Sequence, residues 1–290
     1  MLKTSTGEFP IGVRRGWSEW QRDLPALAEW LTSQSIGVID LGNDGEVTAP
    51  IAHAAGLQIG SADAKDWSGL ISADPVKRQA ARDANAAMMA VCAPLGVRNY
   101  FIVMLPEDPT QTRFDNHKLA VTGLQEFAPI LAEFGGRLAI EGWPGPGALA
   151  CTPDGYRALI SEVDSPTVGI NYDPSHLLRM GIDPIRFVEE FGEFVVHVHG
   201  KDTEIMTDEM YEFGTEISPT LGKAHGFGGM HWRYTIPGHG IMRWTAAFEI
   251  LESLGYDGAV SIELEDERFN GTTETEQSGI SIGAWFLASA

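Results

Sequence analysis

Cysteine is almost absent from this chain, with only Cys92 and Cys151 in 290 residues. Their spacing matches no metal or redox motif, so the reading is two reduced thiols, with a bridge between them left open. Basic residues are scarce as well: 20 Lys and Arg stand against 40 Asp and Glu, for a formal net charge of −20. That balance argues against a protein that lies along phosphate backbones, although it leaves room for a local positive pocket. No apolar run reaches transmembrane length, and the opening Met1–Glu8 lacks the apolar core of a signal peptide; a cytoplasmic location is the expectation. No Gly-x-Gly-x-x-Gly turn follows an early strand. What remains, 43% hydrophobic and 21% charged, is ordinary for a globular protein and ample for one large α/β domain or two small ones.

The most informative stretch is Phe194–Asp202, Phe-Val-Val-His-Val-His-Gly-Lys-Asp. Read as a strand, it places Val195, His197, His199 and Lys201 on one face and Val196 and Val198 on the other. Polar groups crowding one end of an apolar strand are costly unless they meet partners or a ligand. Three other short runs end alike: Arg137–Glu141 in Glu141, Val168–Asp173 in Asp173, and Ala259–Glu263 in Glu263.

Along the chain, short apolar runs alternate with helical periodicity. Strands are expected at Ile11–Gly16, Gly37–Gly42, Leu57–Ser61 and Val97–Leu105, then in the four runs ending in polar residues. Helices are expected at Leu24–Ser35, Pro50–Ala55, Asp74–Leu95, Phe114–Phe134, Thr152–Val163, Asp183–Phe191, Thr245–Leu254 and Glu274–Ala288. Asp74-Pro75, Thr152-Pro153 and Asp183-Pro184 suit an N-cap followed by proline in the first turn. The segment 203–244 is long and glycine-rich, as lids and binding loops are. Eight strands alternating with helices over residues 1–290 are the pattern of a single-domain (β/α)₈ barrel, with an open doubly wound sheet as the weaker alternative.

In such barrels functional groups gather where strands end. Glu141, Asp173, His199 and Glu263 fall there with consistent parity, and three carboxylates with one imidazole suit one divalent cation. Mn²⁺ is the first expectation, with Mg²⁺, Co²⁺ and Zn²⁺ also compatible. His197, one layer deeper, reads as a buried, hydrogen-bonded histidine.

Taken together, Ile-Glu-Gly-Trp-Pro at Glu141, Asp-Pro-Ser-His at Asp173–His176, His-Gly-Lys-Asp at His199–Asp202 and the Ile236–Gly240 stretch resemble the xylose-isomerase-like TIM barrels. This group includes ketose 3-epimerases, inosose dehydratases and endonuclease IV relatives. The resemblance implies a sugar isomerase or epimerase in which the first and last metal-bound glutamates, Glu141 and Glu263, move protons through an enediolate. It also implies that His176 holds a substrate oxygen, and that Arg233, ahead of Pro237-Gly238-His239-Gly240, binds substrate. Lys201 would polarise a hydroxyl or carboxylate, or else form a salt bridge with Asp202 or a neighbour. Trp143, Trp232 and Tyr234 would offer aromatic surface to a sugar, or serve as core and lid packing. Lys65 and Asp66 stand where many relatives carry a histidine, which speaks against the multi-metal cluster of the nuclease branch. A lyase on the same site (a dehydratase, or an enzyme cleaving a keto-glycoside) is the near alternative; a nuclease or a non-catalytic sugar-binding barrel are remote ones. Partners expected from the resemblance are a small sugar or polyol and further copies of the chain, with no nucleic acid and no membrane.

Overall fold

Strands buried on both faces must be apolar nearly throughout, and the short runs of this chain meet that demand by closing on one another. The computed structural model describes residues 1–290. Its strands are β1 (Ile11–Arg14), β2 (Val38–Leu41), β3 (Gln58–Asp63), β4 (Asn99–Val103), β5 (Arg137–Glu141), β6 (Val168–Tyr172), β7 (Val195–Gly200), β8 (Asp202–Ile205), β9 (Trp232–Thr235) and β10 (Val260–Ile262). All but β8 and β9 pair in parallel in a closed barrel of order β1-β10-β7-β6-β5-β4-β3-β2. Helices surround it, and the core is continuous between barrel and helices. This is a TIM barrel in one domain.

Local sequence explains where the helices start. Asp74, Asp173 and Asp183 each accept a backbone N–H two residues on, ahead of a proline in the first turn. Thr152 precedes Pro153 but makes no such side-chain bond. One helix runs over Gly45–Ala54 rather than the expected Pro50–Ala55. Packing decides this: a Cβ on Gly45 would lie within 3.5 Å of Cys92, Ala62 and Met88, so the turn before Pro50 seats against β3 and the helix Pro75–Cys92. Both cysteines are buried and free.

The segment 203–244 is more regular than its glycines suggest. β8 and β9 form an antiparallel ribbon, with a helix over Thr207–Phe213 between them. Asp202 anchors the chain where it returns from this ribbon. Its carboxylate accepts from the backbone N–H groups of Thr203 (2.8 Å), Met242 (2.9 Å) and Gly238 (3.2 Å) and from the Trp244 indole (3.1 Å). Lys201 accordingly makes its salt bridges with neighbours other than Asp202, namely Glu263, Glu265 and Asp173, while Asp202 faces the ribbon side. Asp202→Ala leaves these buried donors without an acceptor. We expect a loss of about 2–4 kcal/mol in unfolding free energy by urea titration, and an unchanged midpoint would show that the anchor does not matter.

Candidate metal centre and active site

The strand ends bring four distant residues together. Glu141 closes β5, Asp173 follows β6 as N-cap of the helix Pro174–Arg179, His199 lies in β7, and Glu263 directly follows β10. Ligand atoms of all four lie within 4.8 Å of one another. Nδ1 of His199 stands 2.8 Å from Glu141 Oε2 and 3.3 Å from Glu263 Oε2. One oxygen of Asp173 is occupied by the N–H (2.9 Å) and hydroxyl (2.6 Å) of Ser175. The other, Oδ2, and Nδ1 of His199 are buried without a hydrogen bond. Three carboxylates and an imidazole packed this closely in a dry site are costly, and a shared cation is a partner that would hold them together. The donor set fits a divalent ion.

Fixed cations offset part of this negative charge. Lys201, fully buried, lies 2.6 Å from Glu263 Oε2, 2.9 Å from Glu265 Oε2 and 3.1 Å from Asp173 Oδ2. Burial alone would lower its pKa, but Asp173, Glu263 and Glu265 outweigh burial and push it well up, so the ammonium stays charged. Arg14, at the end of β1, donates to both oxygens of Asp63 (2.8 and 3.1 Å) and lies 3.2 Å from Glu263 Oε1 through Nε. Its guanidinium lies 4.3 Å over the Phe101 ring, which in turn stacks on His199. Burial pushes the two glutamates up, yet the neighbouring groups prevail: His176 and His199 hold Glu141 below the usual carboxylate range, and Lys201 and His199 do the same for Glu263. Burial works against a charged His199, but Glu263 and Glu141 push it up to about 10.

Supporting groups orient these side chains. Asn171 donates to Glu141 Oε2 at 2.8 Å. His176 lies 3.2 Å from Glu141 Oε1 through Nε2 and 2.7 Å from the Tyr234 hydroxyl through Nδ1, which ties β9 to the site. The ring of Tyr234 also lies 4.6 Å from the Lys201 ammonium. His197 is buried one layer below and hydrogen-bonded to Asp40 at 2.8 Å, with His199 Nε2 3.7 Å from the same oxygen.

Two residues expected to contact substrate, Arg233 and Trp143, have protein neighbours of their own. Arg233 neighbours Tyr234 on β9, so the two side chains leave opposite faces of the ribbon. Its guanidinium is engaged by Glu204 (2.8 Å from Nε) and Glu267 (2.9 Å from Nη1), and is not turned toward the ligand cluster. Trp143 is half-buried and folds over Gly145, where an added Cβ would fall within 1.7 Å of its ring. Arg179 rather than Arg233 stacks on Trp232, at 4.6 Å, and donates to the Pro144 carbonyl at 3.0 Å. Arg14, Asp63, Asp40 and Asn171 were not singled out as site residues from sequence. The signal available was weak: each is a polar residue inside or ending an apolar run.

Fold and site together define a (β/α)₈ barrel with an acidic mouth fit for a metal ion. Residues 40–286 match the Xylose isomerase-like TIM barrel family, and the chain belongs to it. It is 35% identical to the uncharacterized protein YfiH of Bacillus subtilis (strain 168) over 140 residues, covering 45% of this chain and 41% of that one. It is 27% identical to an inosose dehydratase of Clostridium beijerinckii (strain ATCC 51743 / NCIMB 8052) over 151 residues, covering 52% and 47%. These matches span less than half the length of either relative. Among solved structures, 3-keto-D-glucoside 4-epimerase (YcjR) of E. coli superposes with a TM-score of 0.70 at 14% identity, covering 95% of this chain and 98% of that one.

Ligand binding to the folded state alone stabilises it. A divalent metal added to metal-stripped protein should therefore raise the melting temperature, equivalent to about 2.7 kcal/mol at a hundredfold excess over Kd. His199→Ala should lose most of that shift in a thermal scan. The absence of any shift with Mn²⁺, Mg²⁺, Co²⁺ and Zn²⁺ would remove the metal reading.

Proposed function

We propose that the protein is a divalent-metal-dependent isomerase or epimerase of a keto sugar or polyol derivative, working through an enediolate. The observation that carries this reading is the convergence of ligand atoms of Glu141, Asp173, His199 and Glu263 within 4.8 Å of one another at the barrel mouth. Those four residues would hold the ion, with manganese the first candidate for a set rich in carboxylates. When bound, the ion supplies Lewis acidity toward a carbonyl and its neighbouring hydroxyl.

The chain's own groups account for the proton movements. A proton beside a carbonyl is too weakly acidic for an unaided carboxylate, so the site must stabilise the charge that develops. Glu141 and Glu263 come from separate strands, and one can take the proton from one face of the enediolate plane while the other returns one to the opposite face. Arg14 and Lys201 grip the two oxygens of Glu263 and fix its orientation. Asn171 and His176 do the same for Glu141, and in this reading His176 would exchange one of its present partners, Glu141 or Tyr234, for a substrate oxygen. Tyr234 joins the ribbon of residues 203–244 to this network, which suits a cover over the mouth that keeps out water.

A lyase on the same site is the second reading. After the same proton abstraction, loss of a β-hydroxyl as water would give dehydration instead of epimerisation. The partial match to inosose dehydratase points the same way.

Glu263→Gln should cut turnover by at least about 10²-fold on keto sugars or inososes while the circular dichroism spectrum stays unchanged. In D₂O, deuterium at a stereocentre with no loss of water supports epimerisation, and loss of water supports the lyase. Near-normal activity of the variant would remove Glu263 as an acid/base.

A further inference from the structure

His199 has two ring nitrogens, and the ligand cluster uses only one of them. Its Nδ1 looks toward Glu141 and Glu263, while its Nε2 looks down the barrel at Asp40 Oδ2, 3.7 Å away. A neutral imidazole carries one lone pair and one N–H. If Nδ1 gives its lone pair to a cation, the proton stands on Nε2 and points at Asp40. The same carboxylate oxygen accepts from Nε2 of His197 at 2.8 Å.

Asp40 is sparsely bonded for a buried charge. It is closed off from solvent, its Oδ2 has that single hydrogen bond, and its Oδ1 has none. Oδ1 packs instead on Gly60, where a Cβ would stand 2.4 Å away, so the backbone closes that side. A carboxylate so placed is costly unless positive charge comes near it. Asp202, equally buried, shows the contrast: it accepts from three backbone N–H groups and an indole. Burial works against a charged Asp40, but His197, His199 and Arg14 prevail and hold it below the usual carboxylate range. With Nδ1 of His199 committed to a cation, the Nε2 side of the ring carries more positive charge and faces this carboxylate.

Asp40, His197 and His199 are themselves compact enough for a cation, with one ligand atom from each within 4.8 Å of the others. Three donors fall short of the four that a closed metal site takes, and His199 has no second lone pair to share. The trio therefore serves the mouth above it. We infer that Asp40 is a positioning residue for the metal centre: its fixed negative charge, acting through the ring of His199, sets the affinity of the mouth for a divalent ion. This rests on the metal reading of the mouth and goes beyond it, since Asp40 lies outside the four ligands and makes its contribution from the layer below.

The test replaces Asp by Asn at two buried positions and reads affinity and stability separately, so it does not depend on which reaction follows. Asp40→Asn keeps an oxygen for His197 and removes the charge. Stripped of metal, this variant should melt within a few degrees of the wild type. It should nevertheless bind Mn²⁺ or Co²⁺ at least about tenfold more weakly in a calorimetric titration. Asp202→Asn offers one oxygen to four donors, so it should melt clearly lower and keep the wild-type Kd. Should Asp40→Asn fail to fold, the wild type carries the test. With Co²⁺ bound, its proton NMR spectrum in H₂O should contain a paramagnetically shifted, slowly exchanging imidazole N–H, the Nε2 proton of His199 kept from solvent beside Asp40. Unchanged affinity in Asp40→Asn, an affinity loss matched by a comparable fall in melting temperature, or no such N–H signal would each overturn the inference. So would a second ion per chain that disappears in Asp40→Asn, because the trio would then be a site in its own right. A wild type that binds no divalent ion would instead sink the metal reading, and this inference with it.

Discussion

Carboxylates facing one another in a dry cavity repel strongly, and every other feature of this barrel's mouth answers that repulsion. Glu141, Asp173 and Glu263 are fixed there by the hydrogen-bonded strands that carry them, so they cannot drift apart at little cost. Relief comes instead from positive groups at the same level: Lys201 two residues beyond His199, Arg14 at the end of the first strand, and the imidazole of His199 itself. The barrel thus holds a preorganised cavity for positive charge, of the kind a divalent ion would fill.

The scaffold below the mouth is built for the same purpose. Asp40, a buried carboxylate from β2, hydrogen-bonds His197 at 2.8 Å and lies 3.7 Å from Nε2 of His199, so it faces both histidines of β7. Gly60 makes room for it: a Cβ there would stand 2.4 Å from Asp40 Oδ1 and 2.8 Å from the His197 ring. A second layer of this kind fixes ring orientation for a metal-binding histidine as firmly as the ligands themselves do.

What could be read from the chain reflects the same physics. Strand parity has a period of two, so Glu141, Asp173, His199 and Glu263 could be assigned to a common face from short runs alone. Their meeting point required only that the barrel close. Partnerships across long separations carried no such signature. Arg14 meets Asp63 49 residues away, and Asp40 meets His197 across 157, and neither pairing leaves a mark in either local run. The surroundings of Arg233 were illegible for a different reason. It lies in a ribbon hidden within a glycine-rich stretch, where no alternation showed which face it takes, and Tyr234 holds the inward position instead. The helix Gly45–Ala54 was foreshortened because Pro50 looked like a start, whereas burial of the preceding turn overrides that local signal.

Lys201 and Asp202 are consecutive, yet one serves the mouth and the other clasps the chain that returns from the ribbon. A single inserted or deleted residue between His199 and Asp202 would exchange their directions, sending an acid toward the glutamates and an ammonium toward the backbone amides of Gly238 and Met242. This junction can therefore change over time by replacement of side chains but not by change of length. Variation in length has to fall farther out, between Ile205 and Trp232, where the ribbon can lengthen or shorten without altering which way either neighbour points.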